Sequence, residues 1–359
     1  LYARSRYGSS WFTFPFFEEE GPDTFKRLIL RNSGNDNLYK SGSNTHFRDP
    51  LIQVIARGSN RDCMVSESTP VNVFMNGEYY GILNLRERID KYYIETHTAA
   101  NEDYDLLERA FDYPGNRNAI EGSYADWDSL LVFVNDSNGL QPDEEFRYVA
   151  EQVNLNNFTD YWITEVFVGN YDWLSNNIKF WKPEGGKWQW IYWDTDHGLG
   201  LPFASYGEVE WNTLDWSLGF KDRAGTLGQN NRLIRNLLKN EGYREQFISR
   251  FTDLLNTSFS PQSTLPLLDS MKNLYAHDLQ YYALEALPVK RNLSDWENAC
   301  NTVNQYLTNR PDIVFNHIKG YFQLKEPRHA TIRITPVSYT HLTLPTNVQQ
   351  CRSRGSRYH

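Results

Sequence analysis

"NIKFWKPEGGKWQWIYWDTDHGLG" (177–200) reads as two short strands, 178–181 and 188–193, joined at Gly185-Gly186, with the second strand emptying into an acidic loop. Aromatic and β-branched runs on either side of a glycine pair are the pattern of a hairpin. The four tryptophans at 181, 188, 190 and 193 are spread along it and are expected to pack one or both of its faces rather than form a sugar-stacking surface. The hairpin therefore delivers Asp194 and Asp196 to one end, and the chemistry of the chain is sought there.

Immediately upstream, "GNYDWLSNNIKFW" (169–181) sets Asp172 five residues before Asn177, which stands at the start of the hairpin. Phosphoryl transfer asks little covalent work of a protein. One carboxylate orients the attacking hydroxyl and can take its proton, while an amide oxygen and a second carboxylate hold the metal on the phosphates. The D-x-x-x-x-N spacing, a hairpin and then an aspartate present those groups in that order. Asp172 is the candidate base, and Asn177, Asp194 and Asp196 are candidate hard-oxygen ligands of a kind that suits Mg²⁺ or Mn²⁺. Asp and Asn in loops are also ordinary turn and cap residues, so it is the order and spacing together that point to function. His197 has no second His or Cys at ligand spacing, which argues against a transition-metal site. No Walker loop, nucleophile elbow or H-E-x-x-H motif occurs.

Working outward, "TPVNVFMNGEYYGILNLRERID" (69–90) predicts a second hairpin turning at Asn76-Gly77, with Val71, Val73 and Met75 on one face. Residues 49–56 predict a short helix with Asp49 as N-cap and Pro50 at the first helical position. Residues 143–167 have helical spacing, and from 231 to 324 the pattern is mostly helical, with a Ser294/Glu297 capping box starting a helix near Asp295. Strands first and helices last, without repeats, predict an α+β fold with a mixed two-lobe arrangement.

The 359 residues carry 45 acids against 36 Lys and Arg, a formal charge of −9. Residues 337–346 ("VSYTHLTLPT") resemble the one-frame translation of a transposase adapter used in sequencing libraries, and "CRSR" (351–354) fits its continuation. Setting 337–359 aside removes Arg352, Arg354 and Arg357 and no acid, so three positive charges off −9 leaves −12. Such a balance gives no electrostatic footprint for nucleic acid and would suit a basic protein partner, a Ser-rich one being the other expected substrate. No stretch approaches a membrane span. Cys63 and Cys300 neither demand nor exclude a disulfide.

"NGEYYGILNLRERID" (76–90) is similar to the NGxYxGxYxLxExID signature of CotH-type kinases, and the YDW…NNIKFW…WDTDHGLG segment is similar to their D…N…WDxDxxxG pattern. "FKRLILRNSGNDN" (25–37), "FRDPLIQ" (47–53) and the helical stretches "LLKNEGYREQFISRF", "DWENACNTV" and "RPDIVFNHI" extend the resemblance over nearly all of 1–325. It implies an atypical protein-kinase-like domain over 1–325, using ATP and Mg²⁺ or Mn²⁺ to phosphorylate Ser or Thr of secreted or surface proteins, as in spore-coat targets. Asp172 matches its catalytic aspartate, Asn177 and Asp194 its metal ligands, and Asp196 a second carboxylate. Glu87 matches the glutamate that pairs with the nucleotide-binding lysine.

The family carries that lysine in a K-S-x-R strand, and this chain begins just after it at "LYARSRYG", so a fragment lacking its N-terminus is expected, binding ATP weakly. Lys26, Lys40 and Arg48 do not stand in the lysine's pattern. Residues 326–336 look like the start of a following segment of a larger, bacterial, exported or cell-surface protein. Two other readings stay open: a catalytically silent CotH-like adhesion or scaffold module, and a glycoside hydrolase pairing Glu87 with Asp194.

Overall fold

The computed structural model describes residues 1–17, 21–38, 43–59, 62–98, 103–110, 116–136, 139–174, 176–202, 205–221, 230–285 and 293–325. Lys40, the 326–336 segment and the 337–359 tail lie outside the described residues. Leu1–Leu324 packs as one unit of α+β architecture.

The strands come first. β1 (Phe12–Thr13) and β2 (Thr24–Phe25) make a small ribbon, and β3 (Leu28–Arg31) follows. After helix α1 (Arg48–Arg57), β4 (Ser68–Met75) and β5 (Glu78–Glu87) form the expected hairpin, with Asn76 and Gly77 at φ 54° and 86°. Two successive positive φ angles match the right-handed twist of the flanking strands, which is why Asn-Gly is favoured there. β3 adds antiparallel to β5, pairing Leu28 with Glu87 and Arg31 with Asn84, in the order β3-β5-β4.

Helix α2 (Lys91–His97) leads to β6 (Tyr104–Arg109) and β7 (Asn118–Glu121), and helices α3 (Ala125–Asp136), α4 (Asp143–Gln152) and α5 (Leu155–Val168) follow. The predicted hairpin is β8 (Ile178–Pro183) and β9 (Gln189–Ile191), which completes an antiparallel sheet β7-β6-β8-β9. Its aromatics divide between the faces by the two-residue period of a strand. Phe180, Trp188 and Trp190 enter the main core with Trp127, while Trp181 packs on the other side with Leu106, Tyr93 and Ile94. The rest is helical: α6 (Thr213–Gly219), α7 (Arg232–Leu237), α8 (Glu241–Asn256), α9 (Pro261–Glu285) and α10 (Leu293–Tyr321). Helix α10 starts two residues before Asp295, which leaves Ser294 inside it. Among the described residues no helix is long and apolar enough to cross a membrane, and Cys63 and Cys300 are free thiols.

Two expectations are corrected. Helix α1 begins a residue early, so Asp49 lies in its first turn and does not cap it. The cap comes from outside: Asp36 accepts the backbone N–H of Arg48 at 2.9 Å and of Thr45 at 2.8 Å, and pairs with the buried Arg48 guanidinium. The helix expected over 143–167 is two helices, parted where Val153 bridges to Trp188 and Asn154 caps α5 by accepting the Asn157 N–H.

Helix α5 is buried almost all round and is clamped to the hairpin by one side chain. Asn157 Oδ1 accepts the Trp190 N–H at 2.6 Å, and Nδ2 donates to the Trp190 and Asp62 carbonyls at 3.2 and 3.1 Å. A leucine there would leave buried backbone groups without partners. Asn157→Leu is therefore expected to destabilise the fold by about 3 kcal/mol, read as a lower urea midpoint at unchanged slope; a loss below about 0.5 kcal/mol would show that the clamp does not hold β9.

Candidate active site

Both ends of the acidic loop hang on helix α5. The Tyr192 hydroxyl reaches the Asp160 carbonyl at 3.1 Å and Thr164 at 2.9 Å, and after the loop the Leu199 N–H donates to the Val168 carbonyl at 2.7 Å. The same helix ends at Gly169 (φ 68°) and releases the segment that carries Asp172. Buried Arg310 fixes that end by donating to the Val166 and Phe167 carbonyls at 3.0 and 2.9 Å. Asn170 then ties to Glu165, and its Oδ1 accepts the Asp172 N–H at 3.2 Å.

One helix thus brings Asp172, Asn177 and Asp194 to a single place. Asp172 Oδ2 accepts from Asn177 Nδ2 at 3.0 Å and from Asn176 Nδ2 at 3.2 Å, and Asn177 Nδ2 also points at the Asp194 carbonyl, 3.3 Å away. The backbone here is tightly turned: Leu174, Asn177, Asp194 and Leu199 all have φ between 50° and 68°. Asn and Asp tolerate that region, whereas leucine does so only where the surroundings over-determine it.

Asp196 is deeply buried. Its Oδ2 accepts the Asn35 N–H at 2.5 Å, and Oδ1, with His197 Nε2 at 4.0 Å, accepts no hydrogen bond among the described residues. Burial first, and then the charge of Asp194, push the Asp196 carboxyl up to about 7 against the opposing pull of Arg31. Burial likewise pushes Asp172 up to about 6; the hydrogen bond from Asn176 opposes, and Asp194 adds to the rise.

Between the site and the first sheet stands Asp49. Its Oδ1 accepts the Thr195 N–H at 3.1 Å, the Thr195 hydroxyl at 2.6 Å and Gln53 Nε2 at 3.0 Å, while Oδ2 pairs with the buried Arg86 guanidinium. Glu87 does not join this group. Successive residues of β5 face opposite ways, and the Glu87 carboxylate accepts the Glu67 N–H at 3.0 Å and meets His97 Nε2 at 3.3 Å. Lys26 donates to the Ser10 carbonyl, and Arg48 is committed to Asp36 and the Leu199 carbonyl.

Two further cations at the site carry no signal in the sequence. Arg31, which reads there as a strand residue, hydrogen-bonds through Nη2 to Asp194 Oδ1 and lies 3.9 Å from Asp196 Oδ2. Lys179 is buried, with Glu108 at 3.2 Å and its Nζ 3.9 Å from the centre of the Trp193 ring.

Among the described residues no three His, Cys, Asp or Glu side chains converge on a metal position. Mg²⁺ bound with a nucleotide needs only one or two carboxylates, the rest being phosphate and water. The uncommitted oxygens suit that role: Asp196 Oδ1 is buried without a hydrogen bond among the described residues, and Asn177 spends its amide N–H₂ on Asp172 and the Asp194 carbonyl, leaving Oδ1 to coordinate.

A family model described as CotH kinase protein matches residues 12–314 of the chain. No curated protein matches it.

The raised Asp196 carboxyl has a measurable consequence. A charge that folding disfavours lowers stability above pH 7 and ceases to do so as the pH falls from 7 towards the unfolded value near 4. Asp196→Asn is thus expected to raise the melting temperature at pH 8 by roughly 2–4 °C, the gain fading by pH 4.5; equal melting temperatures at pH 8 would show that the carboxylate carries no such strain.

Proposed function

The chain belongs to the CotH kinase family, and from that premise we propose that it is an ATP-dependent protein kinase acting on Ser or Thr of an exported or cell-surface bacterial protein. The observation that carries this reading is the hydrogen-bonded set Asp172–Asn177–Asp194, in which one carboxylate is held near neutral pH beside an amide and a second carboxylate. A two-lobe kinase arrangement would suit the order of the elements, strand-rich up to β5 and mainly helical from α5 onwards apart from the β8–β9 hairpin.

In the reaction proposed, Asp172 orients the substrate hydroxyl and takes its proton as the new oxygen–phosphorus bond forms. The bond between the γ-phosphorus and its bridging oxygen breaks, and ADP leaves with that electron pair. Mg²⁺ or Mn²⁺, held by Asn177, Asp194 and Asp196, would offset the charge of the phosphate oxygens. Asp172 suits the base role because burial brings its pKa close to the operating pH, where a base is both ionised and basic. The chain's acidity favours a basic substrate.

The specific observation that favours a second reading, a catalytically silent surface or adhesion module, is the Arg31 guanidinium resting on Asp194. Transfer of γ-labelled phosphate from ATP to a basic, Ser-rich protein by the full-length protein separates the two. Asp172→Ala is expected to lower the rate by about 10²–10⁴-fold. In the wild type kcat/KM should rise with pH to a plateau above about 6, since protonation disarms the base. Equal labelling by wild type and variant would remove Asp172 from the chemistry.

A further inference from the structure

Strand β3 ends at Arg31, and the turn that follows serves the same acids. Ser33 and Gly34 both take positive φ, 68° and 56°, which brings the Asn35 N–H onto Asp196. Gly34 is required by space as well as by angle, because a Cβ there would fall 2.9 Å from Arg31 Nη2 and still closer to the Asp196 carboxylate. The segment is shaped to lay a guanidinium across the two aspartates.

That guanidinium is only partly used. Nη2 serves Asp194 and approaches Asp196, while Nε and Nη1 make no hydrogen bond among the described residues. An arginine has five N–H donors in a planar fork that matches carboxylate and phosphate oxygens. Arg31 is also the accessible cation of the group, its side chain 16% exposed against 4% for Arg86, which is fastened to Asp49.

The carboxylates share the division. Asp194 Oδ1 and Asp196 Oδ2 face Arg31 and Asn35, whereas Asp196 Oδ1 accepts nothing and Asp194 Oδ2 has no hydrogen bond among the described residues. With all four ionised, Asp49, Asp172, Asp194 and Asp196 set four negative charges against Arg31 and Arg86, a surplus that a divalent cation would offset.

Resting on the kinase reading above, we propose that Arg31 is a phosphate-binding residue of this site, steadying Asp194 with one arm of its fork and offering the other arms to the triphosphate of a nucleotide. It would act beside the carboxylates and need not leave them.

The test is titration calorimetry on the full-length protein, comparing wild type with Arg31→Met, which keeps the stem, and Arg31→Lys, which keeps the charge. Arg31→Met is expected to bind Mg·ATP at least tenfold more weakly, with the deficit shrinking for ADP and absent for adenosine. Mn²⁺ alone should bind it as tightly as wild type or tighter, because a competing positive charge is gone. Arg31→Lys should retain Mn²⁺ binding and fall several-fold short for Mg·ATP, so the proposal can still be judged if the methionine variant does not fold. Wild-type affinity of both variants for Mg·ATP would overturn the proposal, as would an equal loss for adenosine, which would mark a merely structural role. A wild type that binds Mn²⁺ but whose ATP affinity ignores Arg31 sinks the arginine alone; a wild type that binds neither Mn²⁺ nor Mg·ATP sinks the kinase reading and Arg31 with it.

Discussion

The geometry of the acidic loop depends on Asp49. This buried carboxylate at the start of α1 takes the Thr195 N–H and hydroxyl on one oxygen and the Arg86 guanidinium on the other. Thr195 lies between Asp194 and Asp196, so holding it sets the direction of both neighbours; Arg86 lies near the C-terminal end of β5, so the same contact sets the distance of that end of the first sheet. Burying a carboxylate costs several kcal/mol unless its lone pairs are satisfied, and here neighbouring groups satisfy them. Removing Asp49 would leave an unpaired guanidinium in the core as well as a loosened loop.

The opposite wall is helix α5, which serves both segments of the site. It grips β9 through Asn157, receives Tyr192 before the acidic loop and Leu199 after it, and projects Asp172 from its C-terminal end, itself pinned by Arg310. Between these rigid supports the protein crowds like charges. Asp172 and Asp196 are both pushed towards neutrality by burial and by Asp194, a state that costs stability where the groups are ionised and places titratable oxygens where a cation and a hydroxyl would be handled.

Much of this was legible in the sequence, and the gaps have physical causes. Asn76-Gly77 and the alternation around Gly185-Gly186 report local backbone chemistry, and both hairpins formed where expected. The Asp172 to Asn177 spacing, too, is local, and the structure brings the pair within hydrogen-bonding distance of each other and of the Asp194 carbonyl. Asp49-Pro50 looked like a cap because that dipeptide suits a helix start, but the cap is Asp36, brought in by a turn no periodicity records. The break at Val153-Asn154 carries no Gly or Pro; it follows from the bridge to Trp188, a tertiary contact. Glu87 was read by motif, and only the register of β5 shows its carboxylate with His97 and the Glu67 N–H. Arg31, at the end of "LILR", was indistinguishable from a solvated strand charge until Gly34 showed how closely the turn folds back on Asp196.

The most direct measurement is a diffraction experiment on the full-length protein with Mn²⁺ and a non-hydrolysable ATP analogue, with the metal located by its anomalous signal. The expected map has Mn²⁺ bounded by Asn177, Asp194 and Asp196, the triphosphate against Arg31, and Asp172 open to the terminal phosphate. Mn²⁺ and nucleotide bound away from these residues would contradict the assignment of the site.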